Sequence, residues 1–197
     1  MGFRRRHYRE PMQWILLVLV VAIIVGWLRG GKLRNLTEIR VKAWWLLPLG
    51  FFLLAASSFV PSGYHEVAVA LVLVSYIPLL VFVWLNRDAS GIWIAGIGIL
   101  MNFTVISLNG GMPVLAEAAM IAGETGDLVL DAKHVLLTDQ TTLPFLADII
   151  PLPGAVLSLG DVFLAIGVAV FLEDQMRQPL TLFAHRVTGV PGSAADQ

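Results

Sequence analysis

Ile92-Trp93-Ile94-Ala95-Gly96-Ile97-Gly98-Ile99-Leu100-Met101-Asn102-Phe103-Thr104-Val105-Ile106-Ser107-Leu108 contains no charged side chain. A helix through it, rising about 1.5 Å per residue, covers most of the hydrocarbon thickness of a bilayer, about 30 Å. Four further stretches share this character: 12–28, 43–60, 67–85 and 155–172, with Asp161 as the one charge inside the last. Trp27, Trp44, Trp45, Trp84 and Trp93 fall at the ends of these runs. An indole prefers that headgroup level to the lipid interior. The expectation is an all-α integral membrane protein with about five transmembrane helices and a long, partly helical loop between the fourth and fifth. Residues 1–178 then form one transmembrane domain. The tail 179–197 lacks apolar periodicity and reads as disordered.

Composition leads the same way. The 197 residues are 57% hydrophobic and only 14% charged, with a mean hydropathy of +0.80, where a soluble domain carries roughly a quarter charged residues. The bilayer is the partner this implies. A net charge of −1 excludes a nucleic-acid partner, which needs a basic face to neutralise phosphates. Absence of cysteine excludes disulfides, thiolate catalysis and Cys-held zinc or iron–sulfur clusters.

Lys and Arg in the connecting segments set the expected orientation. Arg29, Lys32, Arg34, Arg40 and Lys42 share a side with Arg87, Arg177 and Arg186, against Arg4, Arg5, Arg6, Arg9 and Lys133 on the other. The N-terminus is therefore expected outside and the C-terminus in the cytoplasm. The run after Arg4-Arg5-Arg6 has no small-x-small cleavage site and reads as a retained span.

The loop 109–153 holds Glu117, Glu124, Asp127, Asp131, Asp139 and Asp148 against Lys133. Loops of this length usually carry structure or function. Pro113 to Ala122 reads as a short helix with Pro in its first turn, laying Val114, Leu115, Ala118 and Ile121 along the membrane surface. Pro144 to Ile150 reads as a second, capped by Thr142 and closed by Pro151.

Gly91, Ala95, Gly98, Asn102, Val105 and Asn109 recur every four then three residues on one face of the fourth span. The fifth offers Gly154, Ser158, Asp161, Ala165 and Ala169 at similar spacing. Small residues let membrane helices approach closely, so the two faces are expected to pack. Counted from the shared loop, Asn102 and Asp161 both lie seven positions in, about 10 Å deep. A buried acid at that depth costs at least about 2.5 kcal/mol unless paired, hydrated or protonated. The candidate binding residues are Asn102, Asn109, Ser158 and Asp161, with His134 and Asp148 joining from the loop. Two readings stay open: an interhelical hydrogen bond that only holds the bundle, or a site.

Catalytic and metal motifs are largely missing. His65-Glu66 lacks the second histidine of H-E-x-x-H, which would fall at Val69. No histidine or lysine lies inside a span, so neither a haem pair nor a Ser–Lys dyad is available. No cofactor is expected. Ser158-Leu159-Gly160-Asp161 is a partial match to the Gly-x-Gly-Asp element of intramembrane aspartyl proteases, which need a second Asp in a neighbouring span. The fourth span offers Asn102 there, and the chain is not expected to be an enzyme.

Several pieces in order carry a family resemblance: Gly30-Gly31-Lys32-Leu33-Arg34-Asn35-Leu36 before Trp44-Trp45, Leu108-Asn109-Gly110-Gly111-Met112-Pro113-Val114, Asp131-Ala132-Lys133-His134, Leu143-Pro144-Phe145-Leu146-Ala147-Asp148 and Ser158-Leu159-Gly160-Asp161-Val162. The chain resembles a bacterial family of small multi-span membrane proteins of unknown function, DUF5317. The resemblance implies a bacterial plasma-membrane location and transfers no activity. The functional expectation is a small-solute, cation or proton site between the fourth and fifth spans, open to the outer face. Its alternatives are an accessory subunit whose stripes contact another membrane protein or a second copy of the chain, and an intramembrane hydrolase.

Overall fold

Helix α4 (Ile92–Asn109) stands at the centre of the computed structural model, which describes residues 12–39, 41–123 and 132–178. The tail 179–197, the N-terminal arginines, Arg40, Glu124, Asp127 and Asp131 lie outside the described residues. Around α4 the neighbours run in the order α2 (Leu46–Ser57), α3 (His65–Leu85), α4, α6 (Leu159–Arg177), α1 (Met12–Leu28). The described residues are mostly helical, with six α-helices among them. Two of them, α3 and α4, are long and apolar enough to cross a membrane. Helix α2 has 12 residues, short of the about 20 that a full span needs.

Two departures from the sequence reading matter. Expected helix 155–172 begins late: Ala155–Leu157 is a strand, and α6 starts at Leu159 and runs on to Arg177. The segment before it is not all-α. Strand β1 (Met112–Val114) pairs in parallel with β2 (His134–Leu136), and β3 (Ile150–Leu152) pairs antiparallel with β4 (Ala155–Leu157). Pro153-Gly154 makes the tight connection between β3 and β4. Gly154 has φ +82, the left-handed value that a type II turn requires after proline and that glycine adopts without strain.

Pro113 therefore sits in a strand, and the helix expected from it is the shorter α5, Ala116–Ile121. Its apolar face looks inward. Val114, Ala118, Ala119 and Ala122 pack on Val156 of the hairpin, while Ile121 is exposed. The second expected helix shrinks to a single 3-10 turn, Pro144–Leu146, preceded by left-handed Leu143 in place of a Thr142 cap. Pro144, Pro151 and Pro153 each remove a backbone donor and block an α-helix through this stretch.

Helices α4 and α6 meet as the small residues suggest, on a face one step round from the expected one. Gly160, Leu164, Gly167 and Phe171 face α4, and Ala165 and Ala169 do not form the seam. A methyl group on Gly167 would collide with the Ala95 backbone, and one on Gly98 with the Gly160 carbonyl. Gly167→Ala is expected to lower stability by about 1–3 kcal/mol through overpacking, seen as a depressed melting midpoint of the purified protein in detergent. Gly63→Ala, whose added methyl meets nothing within 4 Å, is expected to melt with the wild type.

Candidate functional site

An α-helix leaves its first backbone N–H groups without internal partners, and α6 begins beside the middle of α4. Ser158 caps it. Its Oγ accepts from the Asp161 N–H at 3.0 Å, and the Ser158 N–H donates to Asp161 Oδ2 at 3.0 Å, a reciprocal capping box. Asn102 joins this knot from α4: its Nδ2 donates to Asp161 Oδ1 at 2.8 Å, and its Oδ1 accepts from Ser158 Oγ at 3.0 Å. Ser158 is fully buried and Asn102 nearly so. Asp161 thus accepts at both oxygens and lies at the positive end of the helix dipole, which favours an acidic group there.

Above the knot lies a cavity of about 120 Å³, room for several waters or one small solute. Its polar lining is Tyr76 from α3, Asn102 from α4, Asp161 from α6, and Lys133, His134 and Asp148 from the 110–158 segment. Apolar wall comes from Leu54, Val72, Ile106, Met112 and Val156. The strands hold the loop-borne groups in place. Met112 N–H donates to the Lys133 carbonyl at 2.9 Å, and Asp148 N–H to the Pro113 carbonyl at 2.9 Å. His134 Nε2 stands 3.9 Å from Asp148 Oδ2, both side chains being buried. Burial pulls the Lys133 ammonium down from 10.5 to about 8, against the opposing pull of Asp148.

Of the residues singled out in the sequence, Asn102, Asp161, His134 and Asp148 line this cavity, and Ser158 supports it from behind. Asn109 does not line it. Its side chain clamps the loop to the end of α4, donating to the Val105 and Thr142 carbonyls and accepting from the Thr142 N–H at 2.8 Å. Tyr76 and Lys133 were missed. Tyr76 carried a signal, a phenol in the middle of an apolar run and away from the interfacial ends that tyrosine favours. Among the described residues no group of three or more His, Asp or Glu is placed to hold a metal ion.

Residues 38–173 match a family described as a family of unknown function, DUF5317. A Thermotoga maritima protein described as uncharacterized is 31% identical over 160 residues, covering 78% of this chain and 87% of its own length. No solved structure matches.

Ser158→Ala removes the cap and leaves the Asn102 carbonyl without its buried donor. A loss of about 1–3 kcal/mol is expected, read as a lowered melting midpoint. Lys133 gives a pH signature. Folded, its ammonium deprotonates near pH 8, whereas the unfolded chain holds that proton to 10.5. Between those values the folded state binds fewer protons, so Lys133 makes stability rise with pH there, and its cost is fully present below about 8. Lysine NMR on ¹³C-methylated protein is expected to show one resonance titrating near 8 and absent from Lys133→Met.

Proposed function

This chain belongs to the DUF5317 family, and from that premise we propose that it is a multi-span bacterial plasma-membrane protein that binds a small polar solute in the cavity between α3, α4 and α6. The observation that carries the proposal is convergence: polar residues from three helices and from the 110–158 segment line one half-open cavity. Two carboxylates, Asp148 and Asp161, face it against one lysine and one histidine. That balance suits a cationic solute, or one carrying a protonated amine, whose apolar part rests on Val72, Ile106 and Met112.

Membrane insertion is supported by the outer surface. Leu28, Phe51, Phe52, Val67, Ile77 and Leu100 are all exposed large apolar side chains, as helices that face lipid require. Helices α3 and α4 would cross fully, with α1, α2 and α6 completing five segments. Irregular backbone at membrane depth is tolerated where protein encloses it, and β1 of the 110–158 segment is fully buried. The end bearing Arg29, Lys32, Arg34, Lys42, Arg87 and Arg177 would face the cytoplasm and the cavity the outer face.

Full-length protein in lipid nanodiscs tests this by calorimetry against alkali cations, small protonated amines and neutral polyols. One cationic class is expected to bind saturably and to bind Asp148→Asn about tenfold more weakly, about 1.4 kcal/mol. A folded protein that binds none of the panel, or an Asp148→Asn variant with unchanged affinity, would overturn the assignment.

A further inference from the structure

The two ends of the helix layer are chemically unlike. Where α1, α3 and α6 finish and α2 and α4 begin, Trp27, Trp44, Trp45, Trp84 and Trp93 are all exposed. Among the described residues the same end carries six cations, with Asp88, Glu173 and Asp174 among its acidic groups. Arg29 and Arg177 are joined to Glu173 at 2.9 and 3.3 Å. Lys32, Arg34, Lys42 and Arg87 are exposed and, among the described residues, have no carboxylate within 4.0 Å. Among the described residues, the exposed charges at the opposite end are Glu66, Glu117 and Asp139, and no tryptophan is exposed there.

The backbones that carry Lys42 and Arg34 are pinned, as is the turn that bears Arg87. Asn86 accepts from the Lys42 N–H at 2.7 Å and donates to the Lys42 carbonyl at 3.0 Å, which fixes Lys42 beside the turn bearing Arg87. The Arg87 guanidinium sits 4.9 Å from the Trp84 ring centroid, a cation–π contact that leaves its N–H donors available. Asn35 donates to the Met176 and Gln178 carbonyls at 2.7 Å, tying the turn that carries Arg34 to the end of α6. The contacts fix where these side chains start, and for Arg87 the Trp84 face also holds the guanidinium.

We propose that this end is a docking surface for anionic phospholipid headgroups, with the phosphodiester held by Lys42 and Arg87 and supported by Arg34 and Lys32. The occupant is a lipid and not free phosphate, because exposed indoles and apolar helix faces flank these cations and match the glycerol and acyl regions of a lipid. The inference rests on the membrane reading above and is independent of the cavity. It also gives the asymmetry a use: basic, indole-rich chemistry at one end anchors the protein in the anionic leaflet.

Native mass spectrometry of the full-length protein from mixed phosphatidylglycerol and phosphatidylcholine micelles tests this, with melting midpoints in each lipid. Retention of phosphatidylglycerol is expected to exceed that of phosphatidylcholine by about tenfold and to shrink as salt rises through screening. Lys42→Gln with Arg87→Gln is expected to bring the ratio close to one, and its unchanged midpoint in phosphatidylcholine verifies the fold. Equal retention of the two lipids by the wild type overturns the proposal whatever the variant does, as does an undiminished preference in the variant or displacement of the lipid by inorganic phosphate. Failure of the membrane reading is separable, since a chain that inserts into neither neutral nor anionic liposomes sinks that reading first.

Discussion

A helix that starts inside a bundle must satisfy the N–H groups of its first turn without water, and α6 is built around that demand. Its N-terminus abuts Asn102, which lies seven residues, or about 10 Å, below the end of α4. Ser158, Asp161 and Asn102 supply one another with donors and acceptors there. Each member fixes the next: the serine sets the helix start, the carboxylate returns to the serine N–H, and the amide bridges to α4. The seam below repeats the constraint in steric form, since Gly98 and Gly160 permit the close approach that brings Asn102 within bonding distance.

Because α6 starts low, something else must fill the space between its first turn and the top of α4. The chain uses two short strand pairs and a six-residue helix, hooked together by Gly154 N–H to the Ala122 carbonyl at 2.7 Å and Leu115 N–H to the Asp148 carbonyl at 3.0 Å. These elements are small and cannot pack as closely as a continuous helix would. A cavity remains where they meet α3 and α4. The polar lining follows from the same cause, since a capped helix start and strand-borne loop residues carry groups that an uninterrupted apolar helix would not.

Much of this was legible in the residues. The apolar runs located α1, α3 and α4, and equal spacing from the shared loop placed Asn102 level with Asp161. The start of α6 was misread because Ala155-Val156-Leu157 is apolar and continues the hydropathy of the helix. Hydropathy measures transfer from water and is blind to backbone conformation. The correcting signal was present: Ser158-x-x-Asp161 before an apolar run is a helix start, and Pro151, Pro153 and Gly154 just upstream mark a turn. Strand pairs β1–β2 and β3–β4 were beyond reach because three-residue strands carry too little alternation to register. Lys133 was lost for another reason, since tertiary folding alone decides that a lysine in a distant loop lines the same cavity as Tyr76.

The capping role of Asp161 changes how the cavity must work. A carboxylate whose two oxygens are already engaged by N–H donors is an anchored wall, and moving it would unpick the first turn of α6. In the proposed site, recognition would then fall to the other side of the cavity. Asp148, His134 and Lys133 stand on strands and turns held by a few main-chain hydrogen bonds, and Lys133 is poised to exchange its proton near pH 8. Short elements of this kind open at lower free energy than packed helices. On the proposed reading, the fixed charge on the helix side and the loop-borne charges would divide the labour of one site.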